Sequence, residues 1–320
     1  MSNSTPTKPS GLRKVLRAGA YVTFLGVALA GGTAMGWLGK SKVAASFVQQ
    51  TLANTSPQEI FGNKQAVTLL ILGCDEDVSY GGTKVLRKQA RSDSMLVAKL
   101  DFESNRITGV GIPRDLLVQL PGYRSQKVNA YHAIGGKELA QKAAEQVLGI
   151  SIDRTLTLDY ESFIKMVDMV GGVDVFVPKR MKYTDKRANP PLYIDFKPGR
   201  QHMDGYQAMC FVRFRHSDDT FHRQARQVDF MLALKETMRK KPQLIGEVAD
   251  QAIHVLGDGL SSSEMAAIAR FAQRIPKDGI KFGTVPVLPA GDYNFKLDEA
   301  KLPKALEEYN LADPVRVSLR

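Results

Sequence analysis

Acidic and guanidinium side chains fall at the predicted ends of secondary-structure elements in this chain. Asp75 stands just past Val67–Leu72, an apolar run that Gly73 ends and that reads as a buried strand. Asp93 precedes, and Arg114 and Asp115 follow, a predicted hairpin of Ser94–Leu100 and Ile107–Ile112 around the polar turn Asp101–Arg106. The entry and exit of an antiparallel hairpin lie at one edge, so Arg91, Asp93 and Arg114 are expected to be neighbours. Strand carboxyl ends are where α/β sheets place ligands, which brings Asp75 into the same region. Farther along, Ala208–Arg215 reads as another strand, on which Arg213 and Arg215, two apart, share a face. Arg223, Arg226 and Gln227 then open a predicted helix, Arg223–Arg239, on one side of it. A helix N-terminus has free N–H groups and positive partial charge, both of which favour phosphate.

Carboxylates beside many arginines are what a divalent cation and a pyrophosphate need together. Aspartate ligates hard Mg²⁺ with phosphate oxygens completing the shell, and guanidinium forks grip phosphate oxygens in pairs. The competing reading is a set of ordinary surface ion pairs, each worth little; the clustering of the positions at element ends favours the site. No GxSxG elbow, Walker A loop or HExxH helix is present. The five histidines, His132, His202, His216, His222 and His254, show no zinc spacing. Tyr123, Tyr131 and Tyr206 are expected to pack rather than react.

The elements that must position these residues alternate between two periodicities. Gly136–Leu148 reads as a helix with Leu139, Ala143 and Val147 on one face, and Tyr160–Val170 as another, stopped by Gly171-Gly172. Val173, Val175 and Val177 alternate as a strand closed by Pro178. An amphipathic stretch near Glu264–Gln273 and a strand near Gly279–Val285 follow. Interleaved strands and helices predict an α/β or α+β domain, with residues 241–320 covering the same core. Nothing repeats at a fixed period.

Before this domain, Ala18–Gly39 carries no charged side chain, which is long enough to cross a bilayer as a helix. Lys8, Arg13, Lys14 and Arg17 precede it, so residues 1–17 are expected in the cytoplasm and everything after residue 40 outside. The run is longer than the apolar region of a cleaved signal peptide, which favours a single-pass anchor in the cell membrane. Residues 40–65 read as a juxtamembrane helix, Ser41–Leu52, and a linker, Asn54–Asn63, with the domain over 66–320. The net charge of +11 suggests an anionic partner, and export argues against nucleic acid. Cys74 and Cys210, the two cysteines, form no CxxC pair and are expected as small buried residues, with a single bridge between them left open.

The strings LLILGCDED, RSDSMLVAKLD, GIPRDLLVQLPGY, KVNAYHAIGG, DYESFIKMVDMVGGVDVFVP, YIDFKPGRQHMDGYQA and VRFRHSDD…RQARQ, in order over residues 67–240, resemble the LytR–CpsA–Psr family. The resemblance implies an α/β/α sandwich of three layers around a central mixed sheet, with a hydrophobic tunnel for a polyprenyl tail. It implies a Mg²⁺-assisted phosphotransferase that moves an anionic glycopolymer from a polyprenyl pyrophosphate carrier onto peptidoglycan. Carried over by position, Asp75 and Asp93 match the metal-associated carboxylates. Arg91, Arg114, Arg213, Arg215, Arg223 and Gln227 match residues around the pyrophosphate, and Lys127 and Asn129 match the motif after the hairpin. Asp75, Asp93 and Arg114 are the candidate catalytic residues, and Asp115 is either a general base or a structural partner. Two departures stand out: Thr220 replaces a family aspartate three residues before Arg223, and the stretch between Asp75 and Arg91 is more basic than usual, with Lys84, Arg87 and Lys88. Two other readings stay open, a pyrophosphatase acting on the lipid carrier and a non-catalytic lipid-binding regulator.

Overall fold

The structure is a computed structural model and describes residues 41–74, 92–186, 191–214, 220–241, 244, 248, 259–276, 278–292 and 294–312. In chain order, the first half holds α1 (Lys42–Leu52), α2 (Pro57–Ile60), β1 (Ala66–Cys74), β2 (Ser92–Asp101), β3 (Arg106–Ile112), β4 (Leu117–Val118), β5 (Gln126–Lys127), α3 (Ala130–Leu148), β6 (Arg154–Asp159) and α4 (Tyr160–Met169). The second half holds β7 (Val173–Val177), β8 (Met181–Asp185), β9 (Leu192–Phe196), β10 (Gly199–Met203), α5 (Gly205–Arg213), α6 (Thr220–Lys240), α7 (Ser262–Arg274), β11 (Ile280–Thr284), β12 (Val287–Pro289), β13 (Phe295–Leu297) and α8 (Leu302–Glu308).

A five-stranded mixed sheet in the order β11-β3-β2-β1-β6 is the centre of the fold. β1 pairs antiparallel with β2 and parallel with β6, and β3 pairs antiparallel with β2 and parallel with β11. β1, β3, β6 and β11 therefore all end at one edge, where β2 begins. β1 is almost wholly apolar, interrupted by Thr68 alone, because both of its faces are covered. Leu70 and Leu72 join a cluster with α3 residues such as Ala140 and Ala143, while Val67 and Leu69 join another with Phe271 of α7. Helices thus lie on both sides of the sheet. A third apolar cluster gathers Val167 of α4, Phe211 of α5 and Phe230 of α6 over the strands β7 to β10.

Several elements match their sequence patterns. The hairpin β2–β3 turns at the predicted place, and β7 alternates buried and exposed as its three valines require. α4 ends where Gly171 (φ 74°) and Gly172 (φ 83°) take left-handed conformations. Gly172 N donates to Val167 O and Gly171 N to Asp168 O, the paired bonds of a Schellman stop. Cys210 is a free, buried thiol, and burial pushes its pKa up.

The structure corrects four expectations. Ala208–Arg215 is not a strand: Gly205–Arg213 is helical, because Asp204 and Gln207 form a capping box that starts a helix there. Gly205 is required at that start, since a Cβ would lie 2.2 Å from Ile164 O of α4. The helix expected from Gly136 begins at Ala130, with a break at Gly135-Gly136, where Gly136 has φ 65°. The helix expected from Arg223 begins at Thr220, so Arg223 and the residues after it sit a turn deeper than predicted. Finally, Asn54–Asn63 is less a tether than a packed segment. α2 lies within it, Phe61 stacks on Phe102 at 5.5 Å, and Arg270 Nη1 donates to Thr55 O at 2.7 Å.

The expected anchor, 18–39, and the tail before it lie outside the described residues. Among those described, no helix is long and apolar enough to cross a membrane.

Candidate functional site

The candidate site is built on the sheet edge where β1, β3 and β6 end. At that edge β1 and β2 fall out of simple register: Gly73 faces Ser94 while Cys74 faces Ser92. Asp93 is the extra residue, a β-bulge, and bulges of this kind re-aim a side chain beside functional sites. Its own side chain lies outside the described residues. Asp75, the next residue after Cys74 in the chain, also lies outside them, as do Arg91 and Arg215.

β2 and β3 pair with Met95 opposite Ile112, the last pair at this end. β3 stops there, and Pro113–Leu116 form a turn in which Leu116 N donates to Pro113 O at 3.0 Å, so Arg114 stands in the turn at the end of β3, on the side of the sheet where β2 begins. Arg114 pairs with Asp115, which a second cation also holds. Its Nε donates to Asp115 Oδ2 at 3.3 Å, and Lys127 Nζ donates to Asp115 Oδ1 at 2.6 Å. Asp115 is anchored in turn by its carbonyl, which accepts from Phe295 N at 3.0 Å. These bonds make Asp115 the shared partner of two cations. Asn129 N donates to Arg114 O at 3.5 Å, so the start of α3 is tied to the same turn. Ser92 Oγ, at the bulge, and Asn129 Oδ1 are buried with no hydrogen-bond partner among the described residues.

On the far side of β1, β6 runs straight into α4, whose first residue is Tyr160. Arg213, on the last turn of α5, lays its guanidinium over the Tyr160 ring, with Cζ 3.9 Å from the centroid. A cation over a ring at that distance is an attractive contact. Arg213 Nη1 also reaches Met209 Sδ at 3.6 Å, and a cation suits a helix C-terminus. Arg213 therefore reaches the sheet edge through a helix end and an aromatic platform, not along a strand face. Tyr160 was missed as a site residue; the signal was the DYES string, where a strand pattern turns directly into a helix.

In α6, Arg223 is in the first turn, with its side chain outside the described residues, and Gln227 is half-buried in the second. Arg226, expected on the same face, is instead turned inward and is 4% exposed. Its Nε donates to Phe211 O at 3.3 Å and its terminal nitrogen to Phe214 O.

One edge of one sheet thus carries, in order, Arg114 after β3, the Asp93 bulge in β2, the end of β1 that leads to Asp75, and Tyr160 with Arg213 after β6. Adjacent strands are about 4.8 Å apart, so the whole row is within reach of extended side chains and a diphosphate.

Comparison with known proteins identifies the family and the fold. The LytR_cpsA_psr family model matches residues 37–310. The chain is 28% identical over 254 residues to a Bacillus subtilis (strain 168) protein named polyisoprenyl-teichoic acid--peptidoglycan teichoic acid transferase TagV, covering 75% of this chain and 63% of TagV. It is 31% identical over 179 residues to the regulatory protein MsrR of Staphylococcus aureus (strain COL), covering 55% of this chain and 50% of MsrR. The matches therefore span between half and two thirds of these relatives' own lengths. The crystal structure of Bacillus subtilis TagV superposes with a TM-score of 0.62 at 27% identity, covering 78% of this chain and 99% of that one. TagT with bound octaprenyl pyrophosphate lipid shares the fold, with a TM-score of 0.56 at 23% identity over 77% of this chain and 90% of that one.

Proposed function

The chain belongs to the LytR_cpsA_psr family, and from that premise we propose that it transfers a glycopolymer from a polyprenyl pyrophosphate carrier onto peptidoglycan. The observation that carries this reading is the shared sheet edge, where the Asp93 bulge lies beside the end of β1, the turn holding Arg114 follows β3, and Tyr160 with Arg213 follows β6. The name of TagV and the lipid bound to TagT, a protein of the same fold, support it.

In this mechanism Arg114 and Arg213 grip the diphosphate, joined by Arg91, Arg215, Arg223 and Gln227. An acceptor hydroxyl of the wall glycan attacks the phosphorus nearer the sugar. The new P–O bond forms as the bond from that phosphorus to the bridging oxygen breaks; polyprenyl phosphate leaves with the electron pair on that oxygen, and the hydroxyl proton passes to solvent. The arginines neutralise charge growing on the departing oxygens, so the chain acts through positioning and electrostatics without a covalent intermediate. Asp75 and Asp93 would hold Mg²⁺: they are hard oxygen donors, and the bulge sets Asp93 beside the residue that Asp75 follows. When bound, the ion would supply charge neutralisation at the diphosphate.

We place the polyprenyl tail on the sheet face that carries Ile71. Ile71 is only partly buried there. The anchor over 18–39 would keep the domain outside the cell, next to its lipid carrier.

The test uses detergent-solubilised full chain, a polyprenyl pyrophosphate-linked glycan and purified peptidoglycan. Phosphodiester product that depends on added peptidoglycan is expected. Release of glycan phosphate without an acceptor would make the chain a pyrophosphatase. Bound lipid without turnover would make it a regulator, as the name of MsrR suggests for that relative.

A further inference from the structure

The helix that brings Arg213 to the sheet edge is joined to the next helix by a second cation that never reaches that edge. Phe211 and Phe214 lie at the C-terminus of α5, where carbonyls have no partner within the helix. Arg226, two turns into α6, fills both: Nε to Phe211 O at 3.3 Å and a terminal nitrogen to Phe214 O. Its guanidinium carbon also lies 5.5 Å from the Phe214 ring centroid. The helix cap thus comes from the neighbouring helix. Burial pulls the pKa of Arg226 down to about 10, which still leaves it charged at neutral pH.

Arg213 sits between the two capped residues, on the same turn. That turn is the part of α5 that meets Tyr160. The chain leaves Phe214 toward Arg215, and one turn before Arg226 on α6 stands Arg223. We infer that Arg226 is a positioning residue that locks the end of α5 to the start of α6, so that Arg213 and the cations of α6 meet an anionic ligand as one preset unit. A planar fork suits this task because two carbonyls of one turn need donors at a fixed spacing. A lysine ammonium has three donors on one nitrogen, so it cannot give each carbonyl its own nitrogen at the spacing of the fork. Presetting matters because a cationic group that must be ordered at the moment of binding loses part of its benefit. The identity of the ligand rests on the transferase reading; the mechanical coupling does not.

Two measurements on the full chain in detergent test this. The first is binding of inorganic pyrophosphate and of polyprenyl pyrophosphate to wild type, Arg226→Lys, Arg213→Ala and the double variant. Arg226→Lys should weaken binding by roughly tenfold, the size of effect seen between coupled neighbours, and by less than about twofold once Arg213 is already alanine. Equal losses in both backgrounds would overturn the inference, because a residue acting only on stability would not act through Arg213. The second is hydrogen exchange, which needs no ligand. In Arg226→Lys the amide of Phe214, bonded to Cys210 O at 3.1 Å, should exchange faster while the Leu70–Val97 pair in the sheet does not. Faster exchange at both, in proportion, would show general loosening and overturn it. If wild type binds neither compound, the transferase reading fails, and exchange alone then decides the role of Arg226.

Discussion

The guanidinium of Arg213 rests 3.9 Å above the centre of the Tyr160 ring, and this contact joins the end of one helix to the end of the parallel strand that precedes another. Tyr160 follows β6, the neighbour of β1, so the contact delivers a cation to the edge where Asp93 and Arg114 also lie. Arg213 is aimed by packing, not by its position in a strand. Replacing Tyr160 by leucine should lower transfer by roughly 2- to 30-fold, since a cation–π contact contributes about 0.5–2 kcal/mol. Tyr160→Phe, which keeps the ring, should stay within about twofold of wild type. Initial rates at saturating and limiting lipid would show whether the loss lies in binding.

Arg114→Ala should reduce transfer by about 10²–10³-fold, as removal of a charge-stabilising donor does elsewhere. Its thermal midpoint should stay close to that of wild type, because Arg114 is partly exposed. Asp115→Asn should cost about tenfold, because Arg114 and Lys127 both lose the charged oxygen that orients them. An Asp115→Asn enzyme with complete loss of activity and an altered pH profile would instead favour Asp115 as a base.

Chelation with EDTA should suppress transfer, and added Mg²⁺ should restore it. Asp93→Asn should raise the Mg²⁺ concentration needed for half-maximal rate. A rate indifferent to chelator would remove the metal role from Asp75 and Asp93.

Glu264 sits at the third position of α7, where Ser261 N donates to it at 2.8 Å and Arg154 Nη2 of β6 at 2.7 Å. Burial alone would raise its pKa, but the bonds from Ser261 and Arg154 outweigh burial and hold it below the ordinary value of 4.5. A carboxylate with a depressed folded pKa stabilises the fold above its unfolded value and loses that contribution as pH falls through the folded one. Stability should therefore drop on acidification below about pH 4.5, and Glu264→Gln should flatten that part of the curve. Urea midpoints between pH 3 and pH 7 would measure it.

Gly205→Ala should destabilise the domain by about 1–3 kcal/mol, the usual cost of forced overpacking. The added Cβ meets the backbone carbonyl of Ile164 at 2.2 Å, and α4 and α5 must part to admit it. A fall of roughly 3–10 °C in the calorimetric midpoint is expected, accompanied by weaker lipid binding because Tyr160 and Arg213 ride on those two helices.

Much of this was legible in the chain. The almost wholly apolar run of β1 and the two glycines after α4 each have one physical solution, because burial on both faces and a left-handed stop are local demands. The hairpin followed from its polar turn, and with it the neighbourhood of Asp93 and Arg114. Asp204 and Gln207 also announced the start of α5, but the aromatic and apolar residues after them read more strongly as a strand.

What the chain alone determined was the inventory: which residues carry charge, and that Asp75, Asp93 and Arg114 stand beside the ends of the first strand and the hairpin. Tertiary structure decided the assignments within that inventory. Arg213 and Arg226 are arginines on consecutive helices, yet one lies over an aromatic ring at the sheet edge and the other is buried against two carbonyls. Asp115 became the shared partner of Arg114 and Lys127 because β4 and β5 pair there. Periodicity fixes the face that a side chain leaves from, whereas its partner depends on which element packs against that face, and that is a property of the whole fold.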